Sequence, residues 1–215
     1  MTIKLDKPYF ANSIKNIAEM IEKQRDHLTE LDSKIGDGDH GINLSIGFRE
    51  VEKNLSEYME NTEDIEAFLK KVGMTLLGKV GGASGPLYGS FFMKMGKGLT
   101  DKNEINISEF GQMIENGVVS VETRGKAVVG QKTMVDALRP GVDYLKAASA
   151  DDDSLEVFGK FIEIMQEGAE KTTDMVAKKG RAARLGERSV GHKDPGAESA
   201  WLIMNSFFSE LKKLY

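Results

Sequence analysis

The chain has 215 residues, 40% of them hydrophobic and 29% charged, enough for one domain with a sizeable buried core. Lys and Arg total 29 against 34 Asp and Glu, a net charge of −5 that leaves no basic excess for a phosphate backbone and argues against nucleic-acid binding. Cysteine is absent, which excludes disulfides, thiolate metal sites and a cysteine nucleophile; MTIKLDKPYF has no apolar leader and no stretch reaches ~18 apolar residues, so a cytoplasmic protein without membrane contact is expected.

Phe10, Ile14, Ile17, Ile21, Leu28 and Leu31 recur at steps of three, four or seven, which predicts an amphipathic helix as the first element. Ile42, Leu44, Ile46, Phe48, Val51 and Leu55 carry a second. A third opens near Asp64 and runs through Ile65, Phe68, Leu69, Val72, Leu76 and Leu77. Similar periodicity spans roughly 86–98, 108–124, 133–149, 154–178 and 196–214, making about eight helices of similar length and no period-two strand. Pro140 predicts a kink or a late start in the sixth. Asp194 before Pro195 predicts the start of the last, since Asp caps exposed amides and Pro fits the first helical position. Asp151, Asp152 and Asp153 read as a solvated turn that favours the helix after it. With no repeat and no linker, the expectation is an all-α fold with residues 1–215 as a single domain.

Two breaks are richer than a turn requires: LDSKIGDGDHG at 31–41 and KKGRAARLGERSVGHKDPG at 178–196. In the first, Gly36, Gly38 and Gly41 let the chain fold sharply enough for Asp32, Asp37 and Asp39 to converge. Three close carboxylates repel unless a cation offsets them, and an oxygen-only set suits a hard ion such as Mg²⁺, which completes its shell with substrate phosphates. A solvated turn has the same composition. Calcium of the EF-hand kind is excluded, because the fifth and twelfth positions from Asp37 are Gly41 and Phe48.

Further along, KVGGASGPLYG at 79–89 places Gly81, Gly82 and Gly85 around Ser84, which reads either as a phosphate-contact turn or as a packing turn between helices. GKAVVGQKT at 125–133 nearly matches a phosphate-binding loop, but Gln131 stands between Gly130 and Lys132 and breaks the spacing. A P-loop ATPase is therefore excluded. In the 180–196 stretch, Arg181, Arg184 and Arg188 are candidates to neutralise phosphates, unless the loop is simply basic and exposed. His40 and His192 sit in these loops as candidate phosphate donors, whereas His27 lies within the first helix.

IGDGDHG at 35–41, GMTLLGKVGGASGPLYGSFF at 73–92, TRGKAVVGQKTM at 123–134 and GRAARLGERSVGHKDPGA at 180–197 closely resemble the DhaL family, the nucleotide-binding subunits of phosphotransferase-system-dependent dihydroxyacetone kinases. The resemblance covers essentially the whole chain. It implies a closed barrel of about eight antiparallel amphipathic helices with the nucleotide at one end. It also implies that Asp32, Asp37 and Asp39 bind two Mg²⁺ bridging the phosphates of ADP. His40, Gly41, Ile42 and Asn43 then lie against the nucleotide with Ala83 and Ser84. Gly125 and Met134 line the adenine side, Arg181 lies over the nucleotide as the catalytic cation, and Asp194, Pro195 and Gly196 close the site.

In function, the resemblance implies ADP that stays bound like a coenzyme, becomes ATP at the expense of a phosphohistidine on a partner phosphotransfer subunit, and serves dihydroxyacetone held by a separate substrate-binding subunit. A transcription regulator is a further implied partner. Two other readings compete: an ATP-consuming kinase subunit for another small ketose, and a non-catalytic module that binds nucleotide or lipid and regulates a partner. Two positions depart from the family. Gly38 stands where many relatives have Ala, and Gln131 replaces an Asp common in the corresponding string.

Overall fold

The structure, a computed structural model, describes residues 4–215. Helices start where a short polar side chain can accept the exposed amides. Asp6 accepts from Tyr9 N ahead of α1 (Lys7–Ile35), and Asp64 from Ala67 N ahead of α4 (Ile65–Lys79). Asn106 and Glu109 form a reciprocal capping box on α6 (Ile107–Gly125). Asp153 accepts from Leu155 and Glu156 before α8 (Ser154–Lys171), and Asp194 from Ala197 before α9 (Pro195–Lys212). The remaining helices are α2 (His40–Lys53), the short α3 (Leu55–Glu60), α5 (Ser84–Met95) and α7 (Val135–Leu145).

Eight of these helices pack in an order that closes on itself: α1 on α2, α2 on α4, α4 on α5, then α5 through α9 in sequence, and α9 back on α1. The interior is aromatic. Phe10, Phe48, Phe68, Phe92, Phe110, Phe158, Phe161 and Phe207 are fully buried, and the Phe110 ring lies 4.9 Å from Phe158 and 6.2 Å from Phe207. Each such side chain contributes about 2–3 kcal/mol through burial. The apolar contacts, rather than the surface ion pairs, hold the ring of helices together.

Glycines set the closest approaches. A Cβ on Gly73 would lie 2.6 Å from Gly89 O, and one on Gly89 would lie 2.9 Å from Gly73 O, so α4 and α5 touch backbone to backbone. That contact fixes the tilt of α5 and hence the place of its first turn.

Several expectations need correction. The helices are not of similar length, running from 29 residues in α1 to six in α3. The predicted 154–178 helix ends at Lys171, where the chain tightens into 3-10 turns at Thr172–Asp174 and later at Ala182–Ser189. Pro140 does not delay its helix, because α7 already begins at Val135, one turn earlier. Two strands of two residues, β1 (Leu5–Asp6) and β2 (Glu104–Ile105), pair antiparallel; they are too short to leave a period-two signal. No described helix is long and apolar enough to cross a membrane.

Candidate functional site

One cavity collects residues from five separate stretches of chain: 32–40, 82–88, 132–134, 179–182 and 194–196. The first turns of α2, α5 and α9 border it through His40, Ser84 and Pro195, and the residue ahead of α7 borders it through Met134. Asp39 and Ala83, the residues ahead of α2 and α5, make no side-chain cap. The positive ends of these helix dipoles gather at this end of the ring, an environment for an anion, with the amides of α5 free of a side-chain cap while Asp32 and Asp194 accept at the starts of α2 and α9.

Beside them stand the aspartates. Asp32 is at the last turn of α1 and is buried. Its Oδ2 accepts from Asp39 N at 2.9 Å and His40 N at 3.2 Å, so one carboxylate oxygen folds the 36–40 turn and the other is left for a ligand. A Cβ on Gly36 would lie 2.0 Å from that second oxygen, and so only glycine keeps it clear. Gly38 has φ of 71°, a left-handed turn that an alanine would strain. Carboxylate oxygens of Asp32, Asp37 and Asp39 come within 4.8 Å of one another. Oxygen-only donors at that spacing fit a hard divalent cation. Arg181 reaches the same group, with Nη1 2.6 Å from Asp37 Oδ2.

His40 belongs to a buried chain of hydrogen bonds. Its Nδ1 lies 3.1 Å from Ser84 Oγ and its Nε2 2.9 Å from Ser199 Oγ, which is in turn 2.6 Å from the Tyr88 hydroxyl. Burial pushes the imidazole down to about 4, against the pull of the Asp32 carboxylate and the Pro195 backbone, so the ring is neutral at physiological pH. One ring nitrogen donates and the other accepts, tying α2 to α5 and α9. Burial likewise raises Asp194, to about 7; the Asp136 and Asp32 carboxylates add to the rise, while the Ala197 amide and Lys132 oppose it.

Of the residues singled out from sequence, Asp32, Asp37, Asp39, His40, Ala83, Ser84, Met134, Arg181, Asp194, Pro195 and Gly196 line the cavity. Gly41, Ile42, Asn43 and Gly125 do not. Gly41 serves packing: a Cβ there would lie 2.0 Å from Arg25 O in α1. Ile42 is half-exposed, Asn43 lies against Gly81, and Gly125 borders the cavity only through Leu87. Arg184, Arg188 and His192 are also absent from the lining. Sequence reasoning missed Tyr88, Ser199, Lys132 and Asp136. Lys132 is buried and its string was on the page, but as a failed phosphate-loop match; Tyr88 and Ser199 meet His40 only through the fold.

A family model described as the DAK2 domain matches residues 34–209. The chain is 54% identical over 209 residues to the ADP-binding subunit DhaL of PEP-dependent dihydroxyacetone kinase 2 from Listeria innocua, covering 97% of each chain. It is 39% identical over 203 residues to the ADP-binding subunit DhaL of the Escherichia coli PEP-dependent dihydroxyacetone kinase, covering 94% of this chain and 96% of the relative. Among solved structures, it superposes on the C. freundii dihydroxyacetone kinase in complex with AMP-PNP and Mg²⁺ with a TM-score of 0.70 and 26% identity, over 93% of this chain and 33% of that one.

Proposed function

From the premise that the chain belongs to the DAK2 domain family, we propose that it is the ADP-binding, phosphoryl-transferring subunit of a phosphoenolpyruvate-dependent dihydroxyacetone kinase. A phosphohistidine on a partner phosphotransfer protein donates its phosphoryl group to ADP held in the cavity. The subunit then delivers that group to dihydroxyacetone on a separate substrate-binding subunit. This division suits the residues present: the cavity supplies charge neutralisation and positioning, which are most of what phosphoryl transfer asks of a protein.

The observation that carries the reading is the convergence of helix N-termini on one cavity beside three clustered carboxylates. Asp32, Asp37 and Asp39 would hold the metal, for which two Mg²⁺ are proposed; bound there, Mg²⁺ supplies neutralisation of phosphate charge. The first-turn amides of α5, with Ser84 Oγ, bind phosphate oxygens. Arg181, paired with Asp37, would add its guanidinium to the phosphates. Met134 and Leu87 supply apolar surface for the base. Neutral His40 holds Ser84 and Ser199 in place and does not itself carry charge to the phosphates.

Native mass spectrometry of the purified protein, before and after EDTA and after free ATP, tests this. Retained ADP with Mg²⁺ that resists exchange, together with ATP formation from phosphoenolpyruvate and the phosphotransfer proteins, is the expected result. A site that only fills and empties with free Mg-ATP would point instead to an ordinary ATP-consuming subunit. A protein that holds no nucleotide under any of these conditions would overturn the assignment.

A further inference from the structure

The lysine of the rejected phosphate-loop string has a use of its own. Lys132 is 1% exposed, has φ of 60° and borders the cavity. Asp136, itself buried, imposes that conformation from the first turn of α7: its Oδ1 accepts from Gly130 N and its Oδ2 from Thr133 N at 2.8 Å. The lysine stem is thereby sent inward, and Nζ donates to two backbone carbonyls, Thr172 O at the end of α8 and His192 O just before α9.

Those two carbonyls bracket a strap of chain, residues 173–191, that carries Arg181 over the cavity mouth. Along its own length the strap packs on little of the main core. Gly180, Gly186 and Gly191 all have positive φ with open space where a Cβ would be. Beneath it lies only a small apolar cluster of Ile35, Ala177, Ala182 and Leu185, separate from the main core. Along its length it is tied by Lys178 N to Gln131 O at 3.1 Å, Gly191 N to Thr173 O at 2.8 Å and the Arg181–Asp37 pair, and beside its two ends Asp194 N donates to Thr172 Oγ1 at 2.9 Å while Lys193 pairs with Glu170. A segment with so few buried contacts belongs to the least stable part of a fold. A buried ammonium is costly unless fully bonded, so its presence at this junction calls for a role that an apolar side chain could not fill.

We propose that Lys132 is a positioning residue: by tying the backbone at Thr172 to that at His192, it holds the Arg181 strap shut over the cavity and sets how slowly nucleotide leaves. The effect on nucleotide rests on reading the cavity as an ADP site; the effect on the strap does not.

The test compares full-length wild type with Lys132→Met, which keeps the stem, and Lys132→Arg, which keeps a donating cation. Release of mant-ADP in Mg²⁺ is measured by displacement, and amide hydrogen exchange is followed without nucleotide. The Met variant is expected to release mant-ADP about tenfold faster or more, with faster exchange confined to residues 173–193, and the Arg variant to recover most of both. Release within about twofold of wild type overturns the role in retention. Faster exchange across all helices together, or a Met variant that does not fold, overturns it too, because Lys132 would then be a general support of the core. If wild type fails to bind mant-ADP, the nucleotide reading and the retention role fall together, and local exchange alone decides whether Lys132 holds the strap.

Discussion

A Cβ on Gly168 would lie 2.4 Å from the carbonyl oxygen of Asp136, the oxygen whose helical donor is missing because residue 140 is proline. The proline and the glycine thus belong to one contact between α7 and α8. Gly168→Ala is expected to force those helices apart and destabilise the protein by about 1–3 kcal/mol. Urea denaturation reads this directly. Unchanged or raised stability, from the better helix propensity of Ala, would mean the helices separate freely at this point.

Asp37 is partly exposed and pairs with Arg181 at the cavity rather than packing in the core. Asp37→Ala is expected to retain the circular-dichroism helix signal while losing at least about 100-fold in affinity for Mg²⁺ and ADP, since even outer-shell partners of a metal are worth about 10–100-fold. Isothermal titration of EDTA-treated protein checks it. Stoichiometric ADP and Mg²⁺ on the variant would remove Asp37 from the metal set.

Asp194 is raised to about 7 in the folded chain from an ordinary 3.8, chiefly by burial. As pH rises, the unfolded chain gives up this proton first, so the folded state loses stability between about pH 4 and 7 and no further above that. The shift of about three units sets an upper figure of about 4 kcal/mol. Asp194→Asn keeps an oxygen for the Ala197 cap and removes the charge. Urea midpoints of EDTA-treated, nucleotide-free protein at pH 5 and 8 are expected to show wild type losing ground to the variant at the higher pH. Parallel pH curves would place Asp194 in an ordinary environment.

His40 is held down to about 4 by burial, the reverse case for a base. Its contribution to stability is complete above the ordinary histidine range and is lost as pH falls from about 6.5 toward 4. In proton NMR its ring signals should stay fixed from pH 8 to about 5. If the His40 ring signals move near pH 6.5, the buried hydrogen-bond chain through Ser84, Ser199 and Tyr88 is not formed.

What could be read from the sequence was what depends on neighbours in the chain. Asp64, Asp153 and Asp194 cap the helices they precede, and Asp32, Asp37 and Asp39 converge because glycines shape the eight residues that span them. Gly41, Ile42 and Asn43 belong to the same string as the ligands, yet they enter α2 and turn away; only the direction of the helix decides which of them faces the cavity. Ser199 and Tyr88 are separated by 111 positions, and Lys132 meets His192 across 60. No local pattern announces contacts of that kind. The stretch after Lys171 kept an apolar rhythm that sequence reading extended to 178, but tight turns and left-handed glycines rule it.

The seam between α9 and α1 has a consequence for how the protein is made. Helix α9 supplies Pro195 and Gly196 to the cavity and also completes the ring against α1, so a growing chain has neither a closed core nor a whole binding pocket until this helix has been synthesised.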